Sequence, residues 1–119
     1  MKQTIDCPAE RAIYFLGGKW KIRILFSLLQ SKKIRFGELK KGLKTITQQM
    51  LSKQLKELEG DGIVNRKVIQ IMPPKVEYSL TEFGLSVMPI LRSFSEWNKK
   101  NTRTISVKLN KNFEENRIT

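Results

Sequence analysis

Histidine is absent from this chain of 119 residues, and cysteine occurs once, as Cys7. Without histidine there is no imidazole acid–base or triad chemistry and no zinc–histidine site. A single thiol allows no intrachain disulfide. Glycine is sparse, and Gly17-Gly18 lacks the further glycines of a phosphate loop, so the pair reads as a helix terminator. Acids are few, 11 against 23 lysines and arginines, and form no carboxylate dyad. No apolar run approaches the length of a membrane span, and the N-terminus lacks the h-region of a signal peptide. These absences argue against an enzyme, a metal or cofactor site and a membrane protein. They fit a cytoplasmic chain.

What the chain has is positive charge, and that charge is clustered. The size is that of one domain with a modest core. The formal net charge is +12. From Lys32 to Lys56 there are eight cations (Lys32, Lys33, Arg35, Lys40, Lys41, Lys44, Lys53, Lys56) and one acid, Glu38, so this short region holds +7. Clustering of this kind favours a polyanionic partner, nucleic acid or a membrane surface.

The stretch from Thr45 to Gly62 lies at the end of that region. Leu51, Leu55 and Leu58 recur at helical spacing and form one apolar stripe. Gln49, Ser52, Lys53 and Lys56 fall on another face, with Gln48 beside them. Thr47 or Thr45 supplies the N-cap, and Gly60 and Gly62 supply the stop. Amides and cations on one face suit base edges and phosphates in a major groove. The plain alternative is an amphipathic surface helix with a solvated polar face.

The surrounding order of elements favours the first reading. Met1 to Asp6 is a polar lead-in, and Pro8 opens a helix with Cys7 at its N-cap. A second helix runs from about Lys19 to Leu29 and is apolar over most of its circumference, as a central helix is. Ile34-Arg35 is a very short strand. Phe36 to Leu43 is a short helix, with Lys40, Lys41 and Lys44 at its exposed end. A brief connection then leads into the Thr45–Gly62 helix, which makes a helix-turn-helix. Ile63 to Ile71 and Val76 to Leu80 are strands around a Met72-Pro73-Pro74 tip, and Arg66, Lys67 and Lys75 put cations on this hairpin. Helix-turn-helix followed by hairpin is the order of a winged helix.

Thr81 caps a last long helix, kinked at Pro89 near Leu85. Phe83, Val87, Ile90, Phe94 and Trp97 make a heptad-type seam on it, broadened by Met88 and Leu91. The seam suits packing on the first helix of the same chain or on a second subunit, where Ile90, Leu91, Phe94 and Trp97 would meet Ile13 and Leu16 across a two-fold axis. After Asn101 the sequence is polar. Ile105, Val107 and Leu109 alternate as in a strand, between poor flanks. The fold expected is mainly α with a small β-hairpin wing: a winged helix-turn-helix domain over 1–100, flanked by N- and C-terminal dimerisation helices, and an extension over 101–119.

These residues resemble one family closely. Cys7-Pro8 with Glu10, Leu16-Gly17-Gly18-Lys19-Trp20, Arg35-Phe36 and Glu38-Leu39 stand in its register. So do Leu51-Ser52, Leu55 to Glu59, Asp61 to Val64, Pro73-Pro74, Val76 to Glu82 with Gly84, and Trp97. The chain resembles the HxlR-type winged helix-turn-helix regulators, a bacterial family related in fold to the MarR regulators, from about Cys7 to Asn98. The resemblance implies a dimeric, DNA-binding transcriptional regulator, and in some members a sensing thiol at the position of Cys7. The chain departs from the family in its longer tail and in Thr47, where many members carry serine.

The DNA-contacting residues expected are Arg35, Lys40, Lys44, Gln48, Gln49, Ser52, Lys53, Lys56, Arg66, Lys67 and Lys75. Their partner is double-stranded DNA with a pseudo-palindromic operator, bound by a homodimer acting as a repressor. The competing class is a winged helix that binds structured RNA or coats DNA without sequence preference. Gln48, Gln49 and Gln54 discriminate, since a non-specific binder has little use for amides at the groove.

Overall fold

The computed structural model describes residues 6–118, so most of the Met1–Asp6 lead-in lies outside it. Among these residues seven helices and three strands follow one another: α1 (Pro8–Leu16), α2 (Lys19–Ser31), β1 (Lys33–Arg35), α3 (Phe36–Leu43), α4 (Gln48–Gly60), β2 (Val64–Gln70), β3 (Lys75–Leu80), α5 (Glu82–Leu85), α6 (Met88–Lys100) and α7 (Thr102–Ile118). They divide into two compact units, Met1–Val87 and Met88–Thr119. Among the described residues no helix is long and apolar enough to cross a membrane.

The first unit is built on α2. Its Ile24, Leu25 and Leu28 are fully buried, together with Leu39 of α3 and Leu51, Leu55 and Leu58 of α4. A side chain of this kind contributes about 1.5–3 kcal/mol on burial, so this three-helix cluster dominates the unit. α1 ends at Gly17-Gly18, where Gly18 takes a φ of 106° that other residues resist. Thr47 caps α4, its hydroxyl accepting from the Met50 amide at 3.1 Å.

α4 runs through Gly60 and stops at Gly62, so Gly62 alone of the two expected glycines terminates it. The Ile63 amide donates to the Leu58 carbonyl at 2.9 Å and the Gly62 amide to that of Glu59 at 3.0 Å. Gly62 has a φ of 75°. This is a Schellman turn, sealed by the buried pair Leu58 and Ile63.

The sheet is antiparallel in the order β1-β3-β2. β2 and β3 make the hairpin wing, with a bulge between Val68 and Gln70. The Ile34-Arg35 strand pairs with β3 rather than standing alone, Ile34 opposite Tyr78.

The long helix expected from Thr81 is two helices. Thr81 does cap the first, accepting from the Gly84 amide at 2.9 Å. α5 then stops after one turn, and α6 begins at Met88. The proline ring of Pro89 would clash with the Leu85 carbonyl in a continuous helix and has no amide to offer it. In the first turn of a new helix neither defect matters. A break therefore replaces the expected kink. The tail after Asn101, where Ile105, Val107 and Leu109 alternate as in a strand, is helical, as α7. Ile105 and Leu109 are four apart, a helical spacing as well.

α5 is tied to the end of α4 through Ile63. The Thr81 hydroxyl donates to the Gly62 carbonyl at 2.6 Å, and the Thr81 amide to that of Ile63 at 3.0 Å. Gly84 is buried against Ile63, and a Cβ there would collide with the Ile63 carbonyl. We predict that Thr81→Ala lowers unfolding free energy by about 1–2 kcal/mol and Gly84→Ala by about 1–3 kcal/mol. Urea titration measures both, and an unchanged midpoint for Gly84→Ala would refute the close packing.

Candidate nucleic-acid interface

The two faces of α4 have separate fates. With Leu51, Leu55 and Leu58 in the core, Gln48, Gln49, Ser52, Lys53 and Lys56 are exposed. These five side chains together line an open cleft of about 580 Å³. Gln54 is half-buried and turned to the Met50 sulfur at 3.4 Å, away from the other amides. Chemically, the cleft face offers amide donors and acceptors, a hydroxyl and two cations. That set can both hold phosphates and read base edges.

The remaining expected cations scatter around this face. Arg35 and Lys75 come together with Glu38 and Pro74 in a second open cleft, where the start of α3 meets the wing. Lys40 is half-buried on α3 and Lys44 exposed. Lys44 ends α3 at a φ of 63°, a conformation that glycine adopts at less cost. Register separates the two wing cations on β2. Lys67 pairs with Glu77, which pairs in turn with Arg35. Arg66 pairs with Tyr78, on the opposite face of the sheet. Lys67 and Arg66 therefore do not share one contact.

Of the residues expected at an interface between subunits, Leu16 and Leu91 are buried within the chain. Ile13, Ile90, Phe94 and Trp97 are exposed, Phe94 by 52% and Trp97 by 64%. Cys7 is free and exposed at the N-cap of α1, where its carbonyl accepts from the Arg11 amide at 3.1 Å. Its thiol makes no capping hydrogen bond.

One pair at this site was not anticipated. Lys21 of α2 is buried, 9% exposed, and its Nζ lies 2.9 Å from Oε2 of Glu57 on α4. The signal was present: Lys21, Ile24, Leu25 and Leu28 are spaced as one helical stripe, so a lysine stands in an apolar row. A buried ammonium needs a partner, and the partner is an acid of the helix that α2 packs on.

The architecture so assembled, helix-turn-helix then hairpin, is a winged helix-turn-helix. The profile of the HxlR-like helix-turn-helix family matches residues 15–106, and the chain belongs to that family. The HTH-type transcriptional regulator YdeP of Bacillus subtilis (strain 168) is 48% identical over 94 residues, 79% of this chain and 73% of YdeP. YybR of the same organism is 48% identical over 95 residues, 80% of this chain and 75% of YybR. Among solved structures, the redox regulator HypR in its reduced form superposes with a TM-score of 0.79 at 44% identity, over 85% of this chain and 99% of HypR. The chain is a DNA-binding transcriptional regulator of the MarR-like winged-helix type.

The Lys21 ammonium, by its hydrogen bond and its charge, holds the Glu57 carboxyl below the ordinary glutamate range, with partial desolvation opposing and Lys53 assisting. A carboxyl lowered in the folded state stabilises the fold above its unfolded value, about 4.3. That stabilisation is lost as pH falls through the lowered folded-state value. The stability difference between wild type and Glu57→Gln should therefore be full above roughly pH 5 and shrink as the pH falls below the unfolded value of about 4.3. Denaturant midpoints measured across that range check it, and a pH-independent difference would refute the pairing.

Proposed function

We propose that α4 is the recognition helix of a sequence-specific, homodimeric repressor that works in the cytoplasm. The observation that carries this reading is the single exposed face on which Gln48, Gln49, Ser52, Lys53 and Lys56 gather. Gln49 and Lys53 stand at base edges, glutamine suiting adenine and lysine guanine, each good pair contributing about 1–3 kcal/mol of discrimination. Arg35, Lys40, Lys44, Arg66, Lys67 and Lys75 hold phosphates and set the register of the domain. The exposed apolar side chains Ile13, Ile90, Phe94 and Trp97 form the dimer face, α1 of one protomer against α6 of its partner. Two recognition helices then read half-sites about 34–36 Å apart.

A gel shift with the DNA upstream of the chain's own gene, against scrambled competitor, tests the assignment. Gln49→Ala and Lys53→Ala should each lose preference for the native sequence, by roughly fivefold to a hundredfold. Neutralising a phosphate contact such as Lys75 should instead weaken all sequences alike and lower the salt slope by about 1. Unchanged preference in both α4 variants would mean that another face reads the DNA.

We further propose that Cys7 is the sensing thiol. HypR is described as a redox regulator in reduced and oxidised forms, and Cys7 is exposed where reagents reach it. With one cysteine per chain, the modified states available are an intersubunit disulfide, a mixed disulfide or an adduct with an electrophile. Sedimentation at micromolar concentration should give a dimer, and alkylation of Cys7 should change its operator affinity. A monomer would end the dimer reading. Indifference to alkylation would return Cys7 to a passive role.

A further inference from the structure

Lys53 and Glu57 are four residues apart on α4, the spacing at which a lysine and a glutamate ordinarily pair along one helix. Among the described residues they form no ion pair, although the charge of Lys53 still acts on the Glu57 carboxyl. Glu57 is engaged by Lys21 from α2 at 2.9 Å, and Lys53 is left on the cleft face with Gln49, Ser52 and Lys56. Glu57 is absent from the lining of that cleft. A helix that approaches a polyanion gains from having its acid neutralised and its lysine unoccupied.

We infer that Lys21 is a positioning residue for DNA binding: buried on α2, it draws Glu57 away from Lys53 and keeps the Lys53 ammonium available to the groove. Lys21 touches no DNA in this arrangement. It acts through Glu57, and its buried stem fixes where the ammonium sits. The inference rests on the assignment of the α4 cleft face to DNA. It adds a residue on the far side of the helix that governs how much of the face's charge is usable.

The test compares Lys21→Met, Glu57→Gln, the double variant, Lys21→Arg and Lys53→Ala. Each is titrated with the upstream duplex and with a random-sequence duplex over a range of salt. Lys21→Met should lose about tenfold in preference for the upstream over the random-sequence duplex, as Lys53→Ala does, because the released carboxylate captures Lys53. Adding Glu57→Gln should restore that preference although the ion pair stays broken, and Lys21→Arg should bind like wild type. A pair that only braces the fold would give a double variant no better than Lys21→Met, and that result overturns the inference. So does full binding by Lys21→Met. Silence of Lys53→Ala overturns the cleft reading itself, and the inference with it. Loss on Lys53→Ala without rescue in the double variant overturns the inference alone. If Lys21→Met does not fold, ammonium-detected NMR of the wild-type protein decides. Slow proton exchange at Lys21 Nζ with fast exchange at Lys53 supports the assignment, and protection at Lys53 overturns it.

Discussion

Ile63 is the joint on which the interface depends. Its amide closes the Schellman turn that ends α4, its side chain is buried against Leu58, and its carbonyl accepts from Thr81. The next residue, Val64, opens β2. The direction in which the wing leaves α4 is thus set within two residues, at a glycine in the left-handed region. Gly84 then presses on the same carbonyl from α5. An element that ends a helix, starts a strand and receives the following helix has little freedom to shift. The cleft over α4 and the cations of the wing are held in one frame by that junction.

Within this frame, helix and sheet geometry sort the basic residues in different ways. On α4 a step of three or four keeps Gln49, Ser52, Lys53 and Lys56 together, so their chemistry adds up on one surface. On β2 a step of one sends neighbours to opposite faces, so Arg66 and Lys67 separate. Lys67 and Arg35, far apart in the chain, are instead brought into one row by their shared partner Glu77. A count of cations along the sequence treats all of these alike. The fold makes two distinct basic areas of them, the α4 cleft and the row of Lys33, Arg35 and Lys67.

The parts of the fold that were legible are those where one local rule acts without competition. Pro8 after Cys7, Thr47 before α4 and Thr81 before α5 each mark a helix start by side-chain chemistry alone. The α4 stripe and the hairpin around Pro73-Pro74 are of the same kind. Expectations failed where two rules met. At Pro89 the apolar heptad argued for continuity and the ring argued against it, and sterics won over pattern. At Ile105 to Leu109 a two-residue alternation is also a four-residue helical repeat, and the chain takes the helix. Lys21 was missed for a further reason. Its stripe was visible, but the acid that makes its burial tolerable is 36 positions away and on another helix.

The second unit shows a deficit of its own. α6 and α7 carry Ile90, Phe94, Trp97, Val107, Leu109 and Phe113 exposed, and Leu91 is the one buried apolar side chain among the described residues there. Two helices with so little enclosed surface cannot offset the entropy of ordering their chain. A large aromatic such as Trp97 left in water forgoes roughly 1.5–3 kcal/mol of burial. Of the seam seen in the sequence, Ile90, Phe94 and Trp97 remain on α6 with their side chains exposed, while Phe83 and Val87 lie outside that helix. The proposed homodimer is the economical answer, because a second copy supplies an identical seam at a two-fold axis. Folding of this part and association would then be one process, so that its stability rises with protein concentration. In the proposed dimer, a change in how α1 of one protomer packs on α6 of its partner would change the spacing of the two recognition helices.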